Sequence, residues 1–162
     1  MKKAKYNDQN RLPENEYNPA MALCAADTFF CAAERCNENR HITNEKFEWL
    51  PVPAIVNMAF ACELYMKSIL ILNTETSKEH NLNELYHTLP PKIKEKIQQK
   101  FNSDTPYFQE SLNKVADCFE ECRYLYEYET LTVNLPFLWR FAEVLKEISH
   151  NQVIGLLLQS SE

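Results

Sequence analysis

Glycine is nearly missing: Gly155 is the single one in 162 residues. Phosphate-cradling loops and dinucleotide fingerprints need several glycines for tight turns and close backbone approach, so P-loop and Rossmann-type sites are excluded. Hairpin-rich folds also use glycine wherever φ is positive, which argues against a small barrel or sandwich. A basic excess is missing as well. With 17 Lys and Arg against 23 Asp and Glu, the net charge is −6 and the pI near 5.3. Wholesale attraction to nucleic acid needs the opposite sign, so any RNA or DNA contact must use a local patch. Residues 1–18 are polar and contain no apolar run, so no secretory signal is expected. Zinc-type cysteine spacing is also lacking. Cys118 and Cys122 suit one helix face, and Cys31 and Cys36 have no paired histidine. All six cysteines (Cys24, Cys31, Cys36, Cys62, Cys118, Cys122) fall in apolar helical stretches. Reduced, core-packed thiols in a cytoplasmic protein are expected, with no metal and no cofactor.

What is present is the balance of a globular chain, 45% hydrophobic and 25% charged, enough for one helix-rich domain. Residues 1–17 read as a flexible or loosely docked arm, and residues 18–162 as the helical domain. Asn18-Pro19 is a helix start, since Asn caps orphan N–H groups and Pro at the first position loses nothing. The helix it opens carries an apolar stripe of Leu23, Ala26, Phe30 and Ala33. Residues 52–72 are apolar nearly all round, interrupted mainly by Glu63 and Lys67. The stretch is long enough to span a bilayer. Each of those charges near mid-membrane would cost about 2.5–3.5 kcal/mol on insertion scales. The core helix of a bundle explains the pattern without that cost, so no membrane span is expected.

Further on, residues 81–86 suggest a short helix, and Pro90-Pro91 restarts the chain into another at 92–101. Thr105-Pro106 opens a long helix from about 107 to 128, with Phe108, Leu112, Val115, Phe119, Cys122 and Tyr126 at a spacing of three and four. The alternation of Tyr124, Tyr126 and Tyr128 could read as a strand, but continuity from Ser111 favours helix. Asn134-Leu135-Pro136 begins the last, with a stripe of Phe137, Phe141, Val144, Leu145, Ile148, Ile154, Leu157 and Leu158.

Glu63 and Lys67 are spaced for an intrahelical ion pair. Charges inside an apolar helix need partners, and Arg123 is a candidate for Glu63 through a bidentate fork. Lys92, Lys94, Lys96 and Lys100 form the one cationic cluster, a solvated face or a phosphate contact. Tyr124, Tyr126 and Tyr128 could stack bases or line an interface.

Three segments in order, AFACELYMKSILIL (59–72), KEHNLNELYHTLP (78–90) and FEECRYLYEYE (119–129), resemble the HEPN superfamily of bacterial and archaeal helical domains. Similarity is greatest to members with an ACELYLK-type helix, a GHDL-x-x-LY-type segment and a WRY-x-YE-type ending. The resemblance implies an all-α, antiparallel bundle of four to five helices that commonly dimerises, with residues 119–128 as the expected seam. Many relatives are metal-independent endoribonucleases of toxin–antitoxin or phage-defence systems, often paired with a minimal nucleotidyltransferase. Their catalysis rests on an Arg followed four to six residues later by His. Arg123 takes the arginine position here, but Tyr128, Glu129 and Thr130 stand where the His should be. Arg35-x5-His41 satisfies the spacing on the wrong helix. His80 stands at the GHDL-type position, with backbone capping as its plain role. His87 and His150 match no motif.

Two functions are therefore expected in contest. One is a non-catalytic module holding RNA, a nucleotide or a protein partner, with Lys67, His80, Tyr126, Lys92 and Lys96 as contacts. The other is a metal-independent endoribonuclease using Arg123 with Glu63, Glu127 or Glu129 in place of His. The missing acid–base residue favours the first.

Overall fold

The computed structural model describes residues 12–38, 40–41, 43–44, 47–101, 105–127, 129–130 and 132–159. Among the described residues the fold is all-helical apart from one two-residue antiparallel pairing. A 3-10 turn at Glu14–Glu16 precedes α1 (Pro19–Asn37), and β1 (Arg40–His41) pairs with β2 (Phe47–Glu48) in the connection to α2 (Pro51–Leu72). Then come α3 (Leu82–Thr88), α4 (Pro91–Lys100), α5 (Thr105–Asn113), α6 (Cys118–Glu121), a 3-10 stretch at Cys122–Glu127, and α7 (Leu135–Gln159). Of the expected arm, residues 1–11 lie outside the described residues.

Asparagine starts three of these helices. The Asn18 Oδ1 accepts from the Ala20 and Met21 N–H groups at 2.9 and 3.3 Å, Asn81 from Glu84 at 3.0 Å, and Asn134 from Phe137 at 3.3 Å. Each satisfies donors that have no intrahelical partner.

The hub is α2, against which α1, α7, α3 and α6 all pack. Length and composition would let α2 cross a membrane, yet Met58, Tyr65, Met66, Ile69 and Leu70 are among its residues buried against the other helices. Full burial of side chains of this size contributes about 1.5–3 kcal/mol each. The expected stripe of α1 is buried, as are Phe137, Phe141, Val144, Leu145 and Ile148 of α7. Phe101, Phe108, Phe137 and Phe141 form an aromatic knot of edge-on, tilted and stacked contacts where α4, α5 and α7 meet.

Three expectations fail. The long helix over 107–128 is broken: α5 stops at Asn113, residues 114–117 are a turn, and the stretch after α6 kinks at Tyr124 (φ −116°, ψ 31°). The cause is tertiary. The Ala116 carbonyl accepts the Leu82 N–H at 2.9 Å, and the Asp117 carboxylate accepts the Asn81 side-chain amide at 2.7 Å. Both bonds join the turn to the start of α3. Tyr126 is 81% exposed because the kink carries it off the α2 face. Ile154 is exposed on α7, while the side chains of Leu157 and Leu158 lie outside the described residues. Cys24 and Cys31 are exposed on the outer side of α1, whereas Cys62, Cys118 and Cys122 are the core thiols.

α2 ends in a way that shapes everything after it. The Glu75 N–H reaches the Leu70 carbonyl at 2.9 Å and the Thr74 N–H reaches Ile71 at 3.0 Å, with Thr74 at φ 60°. This is the Schellman closure, with threonine in the left-handed position that glycine usually takes. It turns the chain sharply into residues 75–81, the segment that carries the site.

Candidate functional site

Glu63 sits on the buried face of α2 and is 1% exposed. Its Oε1 accepts from Lys67 Nζ, one turn on, at 2.8 Å and contacts His80 Nδ1 at 3.0 Å. The other oxygen, Oε2, is buried without a hydrogen-bond partner. Lys67 is a mostly covered lysine, while the His80 side chain is about half exposed (49%). One buried carboxylate therefore aims two nitrogen groups outward. Engaging Nδ1 fixes the imidazole ring and leaves Nε2 as its free face.

His80 is held from its other side by packing and backbone. Its ring centre lies 5.9 Å from that of Phe119, which stacks on Phe60 at 4.8 Å; Phe60 in turn meets Phe29 edge-on at 4.5 Å. An aromatic column from α1 through α2 to α6 thus ends at His80. The backbone N–H groups of His80 and Asn81 both donate to Glu79 Oε1, at 2.9 and 3.0 Å. Those bonds hold the Glu79 carboxyl below the usual carboxylate range. Capping, the plain role expected of His80, is done by Glu79 and Asn81 instead, and the His80 ring belongs to Glu63.

Lys67 and His80 line a cleft of about 480 Å³ together with Tyr17, Thr76, Ser77, Lys78 and Glu14. Two ammonium groups, an imidazole, two hydroxyls and a phenol make a donor-rich wall suited to an anionic oxygen ligand. Tyr17 adds a flat ring on which a base can stack.

The expected partnership of Arg123 with Glu63 is not formed. Arg123 Nε donates to the Phe119 carbonyl at 2.9 Å, its guanidinium carbon lies 4.2 Å above the Phe119 ring, and its nearest carboxylate is Glu120 at 3.9 Å. The break at 114–117 explains this. A continuous helix would have carried Arg123 inward, but the kinked segment leaves it on the outer side of Phe119, and Lys67 and His80 both engage Glu63 through Oε1 alone. Glu127 and Glu129 are exposed, and no ion pair joins Glu127 to Arg123 among the described residues. The Glu127 carboxylate instead accepts from the Tyr126 hydroxyl, pushing that phenol's pKa up. Tyr124 and Tyr126 meet edge-on at 6.4 Å, and Tyr128 lies outside the described residues.

Lys92 and Lys96 are exposed on α4 and line no part of the cleft. Lys94 donates to the His87 carbonyl at 3.0 Å and Lys100 pairs with Glu147 at 2.7 Å. Arg35 is exposed, and the His41 side chain lies outside the described residues.

One polar cluster escaped the sequence reading. The Tyr65 hydroxyl donates to Asp27 Oδ1 at 2.7 Å, and His150 Nε2 lies 2.9–3.0 Å from both Asp27 oxygens. Burial, reinforced by the Asp27 carboxylate, pushes the Tyr65 phenol far up. The three residues clasp α2, α1 and α7 together. Asp27 was a signal in plain view, as the one charged residue in the first four turns of α1.

Among the described residues no group of three or more His, Cys, Asp or Glu side chains is arranged to hold a metal. Comparison with protein-family models, curated proteins and solved structures returned no match.

Proposed function

We propose that the chain is a HEPN-like binding module that holds a phosphate of RNA or of a nucleotide in the cleft beside α2. One observation carries this reading: buried Glu63 aims both Lys67 and His80 into a donor-lined hollow. A buried charge cluster is a poor source of stability, so its retention on an otherwise apolar helix calls for a use. Local donors also answer the problem set by the net charge of −6, because phosphate recognition here needs no basic surface at large.

Catalysis through Arg123 has less to support it, since its guanidinium lies over Phe119 and its expected carboxylate pairs with Lys67 and His80 instead. The module belongs in the cytoplasm, in a toxin–antitoxin or phage-defence setting. Its partners there are a second copy of the chain and a minimal nucleotidyltransferase. Exposed Tyr124, Leu125 and Tyr126 suit such a contact.

Fluorescence anisotropy with short single-stranded RNA tests the reading. Lys67→Ala and His80→Ala weaken binding, and the joint Lys92→Ala, Lys96→Ala variant leaves it unchanged. Absence of RNA binding, or loss confined to the α4 variant, overturns it.

A further inference from the structure

The cations of the cleft are matched by carboxylates as it stands. Glu63 pairs with Lys67, Glu14 faces Lys78, and the Glu79 carboxylate acts on both His80 and Lys67. A polyanion entering such a site would meet little net attraction unless one carboxylate moved. Glu63 cannot move, being buried within α2. Glu14 can. It sits on the 3-10 turn Glu14–Glu16, before the Asn18 cap, so displacing it leaves the start of α1 intact.

The Glu14 carboxylate is bound as a phosphate would be. Oε2 accepts from Thr76 Oγ1 at 2.8 Å and Oε1 faces Lys78 Nζ at 3.3 Å, two donors from the same loop on two oxygens. Glu14, Tyr17 and Thr76 also line a second hollow of about 330 Å³, with Asn15, Ile71 and Thr74. Glu14 therefore stands as the partition between the two hollows.

We propose that Glu14 is a built-in competitor: its carboxylate occupies the anion subsite formed by Thr76 and Lys78, and a ligand phosphate takes over those donors by displacing the Glu14–Glu16 turn. This rests on the reading of the cleft as a phosphate site. Displacement frees the already exposed Lys78 ammonium from its carboxylate and joins the two hollows into one groove. The restraint from Lys78 is weak, because the Glu14 side chain is nearly half exposed and that of Lys78 mostly exposed (48% and 82%). Exposed pairs of this kind shift an equilibrium by about two- to fivefold.

The experiment measures RNA affinity by anisotropy for the full chain and three variants. Glu14→Gln removes the competing charge and tightens binding about two- to fivefold. Glu16→Gln removes an equal charge from the same segment but lines neither hollow, and leaves affinity unchanged. Adding Glu14→Gln to Lys78→Ala gives no gain over Lys78→Ala alone. Equal tightening by Glu14→Gln and Glu16→Gln would reduce the effect to net charge and overturn the competitor, leaving the phosphate site standing. Binding by Glu14→Gln where the unaltered chain shows none supports full occlusion. Failure of every chain to bind overturns the phosphate site itself and the competitor with it.

Discussion

Removing Lys67 while keeping Glu63 strands a carboxylate inside the molecule. In Lys67→Met the Glu63 side chain, 2% exposed, keeps His80 as its one remaining hydrogen-bond donor, and its Oε2 is already without a partner. Breaking a buried pair in this way costs about 3–5 kcal/mol, and retention of His80 places the loss near 3 kcal/mol. The converse, Glu63→Leu, is milder. Lys67 is 18% exposed, and its flexible stem can carry the ammonium into the cleft, so the loss is about 1–2 kcal/mol. The double variant puts two apolar side chains on an apolar helix and lies within about 1 kcal/mol of the parent. Single losses thus sum to about 4–5 kcal/mol against 1 for the pair, a coupling of about 3 kcal/mol or more. Equilibrium urea unfolding of the four chains measures it. Additivity to within about 0.5 kcal/mol would refute the reasoning, because it would mean that Glu63 and Lys67 do not depend on each other.

Three other outcomes follow from particular residues. Thr74→Gly relieves a left-handed backbone conformation at φ 60° that costs a branched residue about 1–2 kcal/mol, partly offset by glycine's greater chain entropy. The net gain of about 0.5–1 kcal/mol raises the melting midpoint by roughly 1–4 °C in calorimetry. The Tyr65 phenol is pushed up by burial and Asp27, so the folded state keeps a proton that the unfolded chain releases above its ordinary pKa of about 10. The resulting stability is fully present below pH 10 and falls as pH rises beyond it, and Tyr65→Phe flattens that alkaline fall in pH-dependent unfolding. Thiol labelling under native conditions modifies Cys24 and Cys31 quickly and leaves Cys62, Cys118 and Cys122 until the chain unfolds, as mass spectrometry of the labelled protein would record.

Local signals and long-range ones divide the fold between them. Asn18-Pro19 marks the start of α1 because a cap is written in adjacent residues, and α2 stands out because its burial is almost all-round. Glu63 and Lys67 were legible for the same reason, being one turn apart on one helix. His80 was legible as a candidate but not by its partner, which lies 17 positions back across a reversal that no glycine announces. The 107–128 region misleads in the opposite sense. Its apolar spacing continues through Phe108, Leu112, Val115 and Cys122, all of them buried, while the backbone breaks at 114–117 for bonds to Asn81 and Leu82. Periodicity reports which side chains face the core. It does not report whether one helix carries them, and the expected Arg123–Glu63 pair depended on that helix.

Titrating the protein with short single-stranded RNA while following the histidine ring signals by NMR tests the cleft most directly. The account predicts saturable shifts of the His80 ring, with His87 and His150 unmoved, since His80 alone among these three lines the cleft with Lys67 and Lys78. Shifts confined to the α4 residues near Lys92 and Lys96, with the His80 signals unchanged at saturation, would contradict it.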